Sequence, residues 1–103
     1  MALEPAITDI EKLKDNPALA LLLGWRQDAV ESAKWDREEL SIVLRREALR
    51  EACALLRDDP RTNFNFLADI TCVDWYPSEP RFEVVYNLLS IPRKDRVRIK
   101  VRL

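Results

Sequence analysis

The sequence predicts an α+β fold, a two-layer sandwich of order helix(es)-β-β-α-β-β-β, in a single domain over residues 1–103. Three observations predict it. Leu49, Ala52, Cys53 and Leu56 form an i, i+3, i+4, i+7 apolar stripe, which sets one helix in the middle of the chain. Val97, Ile99, Val101 and Leu103 alternate strictly with Arg96, Arg98, Lys100 and Arg102, the period of a strand with one covered face. Short links join the last three extended segments, which calls for a C-terminal antiparallel meander within a mixed sheet.

The N-terminal third reads as helical. Thr8-Asp9-Ile10-Glu11 matches a capping box, with Thr8 as N-cap and Glu11 reaching back. Asn16 and Pro17 restart the chain, one as cap and the other at the first helical position. The apolar run Ala18 to Leu23 then ends at Gly24, as at a helix C-cap. Ala29 to Trp35 alternates loosely and predicts a first strand. After the polar turn Asp36-Arg37-Glu38, Leu40, Ile42 and Leu44 alternate with Ser41 and Val43, which predicts a second strand paired with the first.

The period changes at Arg45, and a helix is expected from about Arg46 to Arg57, stopped by Asp58-Asp59-Pro60. Phe64, Phe66, Ala68, Ile70 and Cys72 are expected on one face of a long strand, with Leu67 and Val73 on the other. Tyr76 to Pro80 holds two prolines and cannot continue a ladder. Phe82 to Ile91 is apolar on both faces, as in a central strand, and Pro92 to Asp95 makes a tight connection to the last strand.

Composition bounds the function. The 103 residues suit one domain, 48% are hydrophobic and 34% charged, so the chain is globular rather than disordered. A net charge of -1 gives no overall pull toward nucleic acid. The absence of histidine removes the commonest general base and metal ligand. The single glycine, Gly24, excludes a glycine-rich phosphate loop. Cys53 and Cys72 do not form a CxxC pair, and two cysteines fall short of the four ligands of an iron–sulfur cluster. The start Met1-Ala2-Leu3-Glu4-Pro5 resembles neither a secretory leader nor a transit peptide, so a reducing cytoplasmic setting with free thiols is expected. The chain stops on an amphipathic strand without a polar tail, so a piece of a longer protein is expected.

Four groups of residues stand out. The cations Arg96, Arg98, Lys100 and Arg102 read either as a docking surface for an acidic partner or as the solvated face of an edge strand protected by charge. They lack interleaved aromatics, which weakens a nucleic-acid module as the alternative. Asp69, Asp74, Glu79 and Glu83 lie near one hairpin, but nothing in their spacing selects acid–base chemistry or a metal. Cys53 on the helix stripe and Cys72 on the inner strand face are expected to pack as small apolar groups. Among the aromatics Phe64, Phe66, Trp75, Tyr76, Phe82 and Tyr86, most are expected in the core. Trp75 and Tyr76 beside the turn read either as core or as partner contacts.

At this hairpin the sequence becomes specific. Phe66-Leu67-Ala68-Asp69-Ile70-Thr71-Cys72-Val73-Asp74-Trp75, then Pro80-Arg81-Phe82-Glu83-Val84-Val85-Tyr86-Asn87-Leu88-Leu89-Ser90, then the basic strand, resembles the C subunit family of the proton-pumping NADH:quinone oxidoreductase, respiratory complex I. The family carries a run close to "LxDLTxVDY", then "RFEVVYxLxS", then a basic alternating strand. The likeness covers about residues 37–103.

The resemblance implies a non-catalytic structural component of the peripheral arm, on the cytoplasmic side of a bacterial inner membrane. Such a component meets the membrane only through the complex. It implies no cofactor (no flavin, no iron–sulfur cluster), no metal and no nucleic acid. The implied partners are other peripheral-arm subunits, chiefly the quinone-site D subunit. Candidate docking residues are Trp75, Tyr76, Arg81, Glu83, Arg96, Arg98, Lys100 and Arg102. Relatives in membrane-bound hydrogenases and related dehydrogenases leave the parent complex open. The family's acidic "EREAYD" helix and "HPDLRR" segment are absent from the chain, so an N-terminal domain of a longer protein is expected.

Overall fold

The computed structural model describes residues 5–103; the start of the chain, Met1 to Glu4, on which the reading of a leaderless terminus falls, lies outside the described residues. The first helix, α1 (Ile10–Leu13), is capped one residue later than expected. Asp9 rather than Thr8 is the N-cap, and its carboxylate accepts from the backbone N–H of Glu11 at 3.0 Å. No capping box closes, because the Glu11 side chain pairs with Lys14 at 2.9 Å instead of reaching back.

Helix α2 (Pro17–Trp25) starts as its sequence dictates. The Asn16 side chain accepts from the N–H of Ala18 at 2.9 Å, and Pro17 occupies the first turn. It does not end at Gly24. The helix runs through Trp25, and the Arg26 N–H closes it onto the Leu22 carbonyl at 2.9 Å. Gly24 keeps a negative φ, so its capacity for a left-handed cap goes unused.

Strands β1 (Val30–Asp36) and β2 (Glu39–Leu44) form the expected antiparallel hairpin. Its two-residue loop is Arg37-Glu38, with φ of 52° and 63°. Both lie in the left-handed region that a tight type I′ turn demands, without the usual glycine. A short 3-10 turn at Arg46–Ala48 leads into α3 (Leu49–Asp58). Ala52 and Leu56 are fully buried, and Leu49 and Cys53 are partly buried at the edge of the stripe. Beyond α3, the Thr62 hydroxyl donates to the Leu56 carbonyl at 2.8 Å and the Phe64 N–H to the same oxygen at 2.9 Å. These bonds satisfy orphan carbonyl capacity at the helix end.

The chain closes with β3 (Phe66–Asp74), β4 (Phe82–Ser90) and β5 (Asp95–Arg102), an antiparallel meander as expected. The sheet order is β1-β2-β5-β4-β3, with β2 and β5 parallel, so the sheet is mixed. Helix α3 carries the chain from β2 across to the far edge. The meander then works back and inserts β5 beside β2. The basic strand is therefore the central strand, which corrects its reading as an edge. A strand covered on one face shows the same alternation at the edge or in the middle, so the pattern alone does not distinguish them.

One face of the sheet carries the helices. Leu40, Ile42 and Leu44 of β2, Val97 and Ile99 of β5, and Leu88 of β4 pack there with Leu19, Leu22, Ala52 and Leu56. Among the described residues, no helix packs against the other face. The edge strand β3 differs most from expectation: eight of its nine residues are exposed and none is buried. A bulge between Leu67 and Asp69 shifts its alternation. Leu67, Ile70 and Cys72 stand opposite Leu88, Tyr86 and Val84, on the helix side, while Phe66 stands opposite Leu89 on the other face. Leu67 thus changes face relative to the simple alternating reading. Cys72 is exposed rather than packed inside, and Cys53 is half-buried. Of the aromatics expected in the core, only Phe64 is buried there; Phe66 and Phe82 are exposed and Tyr86 is half-buried.

Candidate docking surface

The turn between β3 and β4 is built around one ion pair. Arg81 donates through Nε and Nη2 to the two oxygens of Asp74, both at 2.9 Å. Asp74 also accepts from the backbone N–H of Tyr76 at 2.9 Å. The Trp75 N–H donates to the Arg81 carbonyl at 2.7 Å and closes the neck of the turn. The Tyr76–Pro77 and Glu79–Pro80 peptide bonds are both cis. The Arg81 guanidinium, together with the Tyr76 N–H, holds the Asp74 carboxyl below its ordinary value of 3.8.

Arg81 serves a second purpose. Its guanidinium carbon lies 5.1 Å from the centre of the Tyr76 ring and 4.8 Å from that of Phe82, within cation–π range. Tyr76 is 73% exposed and Trp75 51% exposed. Of the two readings of these rings, the core one is therefore excluded. The result is an apolar tip held in place by a bidentate ion pair. Isolated exposed aromatics are ordinary, but adjacent ones presented by a fixed turn are the residue types favoured in protein interfaces.

The second candidate group, the β5 cations, has a different character. Arg96, Arg98, Lys100 and Arg102 all project to the helix-free face, but carboxylates meet them there. Glu39 lies 3.4 Å from Arg96 and 2.8 Å from Arg98. Glu83 lies 3.2 Å from Arg102 and 4.0 Å from Lys100. Arg98 also donates to the Asn87 side chain at 3.1 Å. Beneath Lys100, its cross-strand neighbours Val43 and Val85 are buried, an apolar floor under a snorkelling cation. The stripe is therefore an ion-paired lattice in which four cations share two carboxylates, and the face keeps a net positive charge. Glu83 is a buried internal counter-ion with a 4% exposed side chain.

The hairpin acids have no mutual site. Asp69 accepts from Asn87, Asp74 faces Arg81, and Glu83 faces Arg102. No three metal-ligating side chains come together among the described residues. Glu39 was not singled out by its sequence context. Its role depends on β5 lying next to β2, a contact between residues 57 positions apart.

The pattern of the family described as "Respiratory-chain NADH dehydrogenase, 30 Kd subunit" matches residues 42–103, which cover the end of β2, α3 and the whole meander. The chain belongs to this family. A relative from Citrifermentans bemidjiense, named as the C subunit of NADH-quinone oxidoreductase, is 44% identical over 94 residues, 91% of this chain and 52% of the relative. A second C subunit of NADH-quinone oxidoreductase, from Rhizobium etli, is 54% identical over 57 residues, 55% of this chain and 30% of the relative. The C subunit from Geotalea uraniireducens is 38% identical over 87 residues, 84% of this chain and 52% of the relative. The chain thus spans at most about half the length of these members of the 30 Kd subunit family. No helix of the described residues is long and apolar enough to cross a membrane.

Proposed function

We propose that the chain is a non-catalytic structural part of the peripheral arm of a proton-pumping NADH:quinone oxidoreductase, docked beside the quinone-site D subunit on the cytoplasmic side of the membrane. Membership of the 30 Kd subunit family supports the parent complex. The observation that carries the docking reading is the β3–β4 tip, where Trp75 and Tyr76 stand exposed on a turn fixed by Asp74 and Arg81. The hairpin acids Asp69, Asp74 and Glu83 are each bound to a neighbour, which supports a role in assembly rather than acid–base chemistry. Each β5 cation is ion-paired to Glu39 or Glu83, which weighs against nucleic acid, whose binding rests on cations free to meet phosphates. The names of the relatives favour the NADH-linked enzyme over a hydrogenase-type complex as the parent assembly.

The test is co-purification. A tagged chain expressed with the remaining subunits is expected to purify in fixed ratio with NADH:quinone oxidoreductase activity. Trp75→Ser combined with Tyr76→Ser is expected to reduce that recovery at least about tenfold, the loss of about 1.4 kcal/mol or more, while the unfolding midpoint holds. Failure of the unaltered chain to co-purify removes the reading, and full recovery of the double variant removes the tip as its contact.

A further inference from the structure

A five-stranded sheet is about 24 Å across at ~4.8 Å per strand, and two helices of ~10 Å cover only about four strands. The uncovered strand here is β3. Helix α3 lies between α2 and this gap, since α3 and α2 are in contact and the far side of α3 faces β3. The gap is a cleft of about 620 Å³. Its floor is Tyr86 and Leu88, one wall is Cys53 with Leu49, and the other is Leu67. Leu67 is 48% exposed, and Ile70 continues the same face of the uncovered strand at 53%.

The charges around the cleft are of one sign. Arg50 and Arg57 of α3, seven residues apart and so on one side of the helix, are the charged residues of its lining. Asp58 pairs with Arg57 from outside the lining, and Arg50 has no ion-pair partner among the described residues. On the opposite face the four β5 cations are each ion-paired to Glu39 or Glu83. Beside the apolar floor Arg50 is exposed and unpaired among the described residues, and Arg57 is held only by an exposed surface pair with Asp58 that a partner carboxylate can replace. From this we infer that the α3–β3 cleft seats an amphipathic helix of a partner protein, apolar toward Tyr86 and Leu67, with carboxylates along the flank that meets Arg50 and Arg57. A strand added to the β3 edge would leave the floor open; a helix beside α3 covers it. The inference goes beyond the proposed function and does not depend on which complex the chain serves.

The test uses the full chain carrying Cys72→Ser, so that Cys53 in the cleft wall is the reporting thiol. The probe is a synthetic helical peptide of about eighteen residues with leucines at i, i+3, i+4, i+7 spacing and glutamates on its flanks. It is expected to slow maleimide alkylation of Cys53 at least about fivefold, and less so as salt rises. A thiol placed on the helix-free face by Ser32→Cys is expected to react at an unchanged rate. Arg50→Glu with Arg57→Glu, both surface changes, is expected to transfer protection to a lysine-flanked twin of the peptide. Four outcomes would overturn the inference: no protection by the glutamate helix, equal protection by both peptides of the unaltered chain, protection by an alternating extended peptide only, or protection by a higher concentration of the chain itself without peptide. Because the probe assay needs no other subunit, its failure and a failure of co-purification are told apart.

Discussion

Across the β4–β5 ladder, the Arg102 Nε lies 3.2 Å from the Glu83 Oε2, and Glu83 is the most deeply buried carboxylate among the described residues. The carboxylate sits where Lys100 and Arg102 would otherwise face one another on a single strand face. Its removal leaves two cations without their counter-charge over a partly apolar floor. Arg102 is half exposed, so the cost is below that of a fully buried pair. Glu83→Ala is expected to lower stability by about 2 kcal/mol in urea titration. A loss below about 0.5 kcal/mol, the scale of an ordinary surface change, would show that the carboxylate does not hold this face.

Acid sensitivity is expected from two carboxyls. Arg61, through its side chain and its backbone N–H, pulls the Asp59 carboxyl from 3.8 to about 2, and Arg81 lowers Asp74 in the same direction. Both are depressed in the folded chain, so the unfolded chain binds the proton first. Their contribution is therefore present above the ordinary carboxylate value and is lost as pH falls toward the folded values. For Asp59 that window runs from about 3.8 down to about 2. The urea midpoints of the natural chain and of Asp59→Asn are expected to differ at pH 6 and to converge near pH 2. A constant gap across that range would contradict the assignment.

Two local substitutions are expected to stabilise. A Cβ added at Gly24 meets nothing within 4 Å, and the helix continues past it. Gly24→Ala should therefore gain about 0.5–1 kcal/mol from helix propensity. Glu38 holds φ at 63° in the β1–β2 turn, a conformation glycine adopts without steric cost. Glu38→Gly is expected to gain up to about 1 kcal/mol. Thermal unfolding would show each as a higher midpoint, and a fall in both would count against the described turn and helix end.

The division between core and uncovered strand predicts a contrast. Leu56 on the core face of α3 is fully buried and Ile70 is 53% exposed on β3. Leu56→Ala should cost about 3 kcal/mol, whereas Ile70→Ala should cost less than about 0.5 kcal/mol in the isolated chain. Equal losses in denaturant titrations would mean that β3 belongs to the core after all.

Several elements were legible in the residues. The Asn16–Pro17 start of α2, the β1–β2 hairpin, the α3 stripe and the antiparallel meander all follow from local chemistry, because caps, turns and periodicity act over a few neighbouring positions. The hairpin runs also pointed to the family before any geometry was known. The exposed tip was legible in part: Trp75 and Tyr76 stood out beside the turn, but their exposure did not. The misreadings have separate physical causes. Asp9 competes with Thr8 for one cap, and both are able acceptors. The bulge at Leu67–Asp69 exchanges the faces of Phe66 and Leu67 relative to Ile70 and Cys72 without leaving a mark in the alternation.

The sequence by itself determined which segments become helices and strands, and which family the chain belongs to. It also determined that β5 carries apolar residues on one face and cations on the other. Tertiary structure alone decided that β5 is central, that Glu39 and Glu83 satisfy its cations, and that β3 is left uncovered. The reason is that periodicity reports only whether a face is buried. Strand order depends on where α3 delivers the chain across the sheet, and that crossing brings together residues more than fifty positions apart.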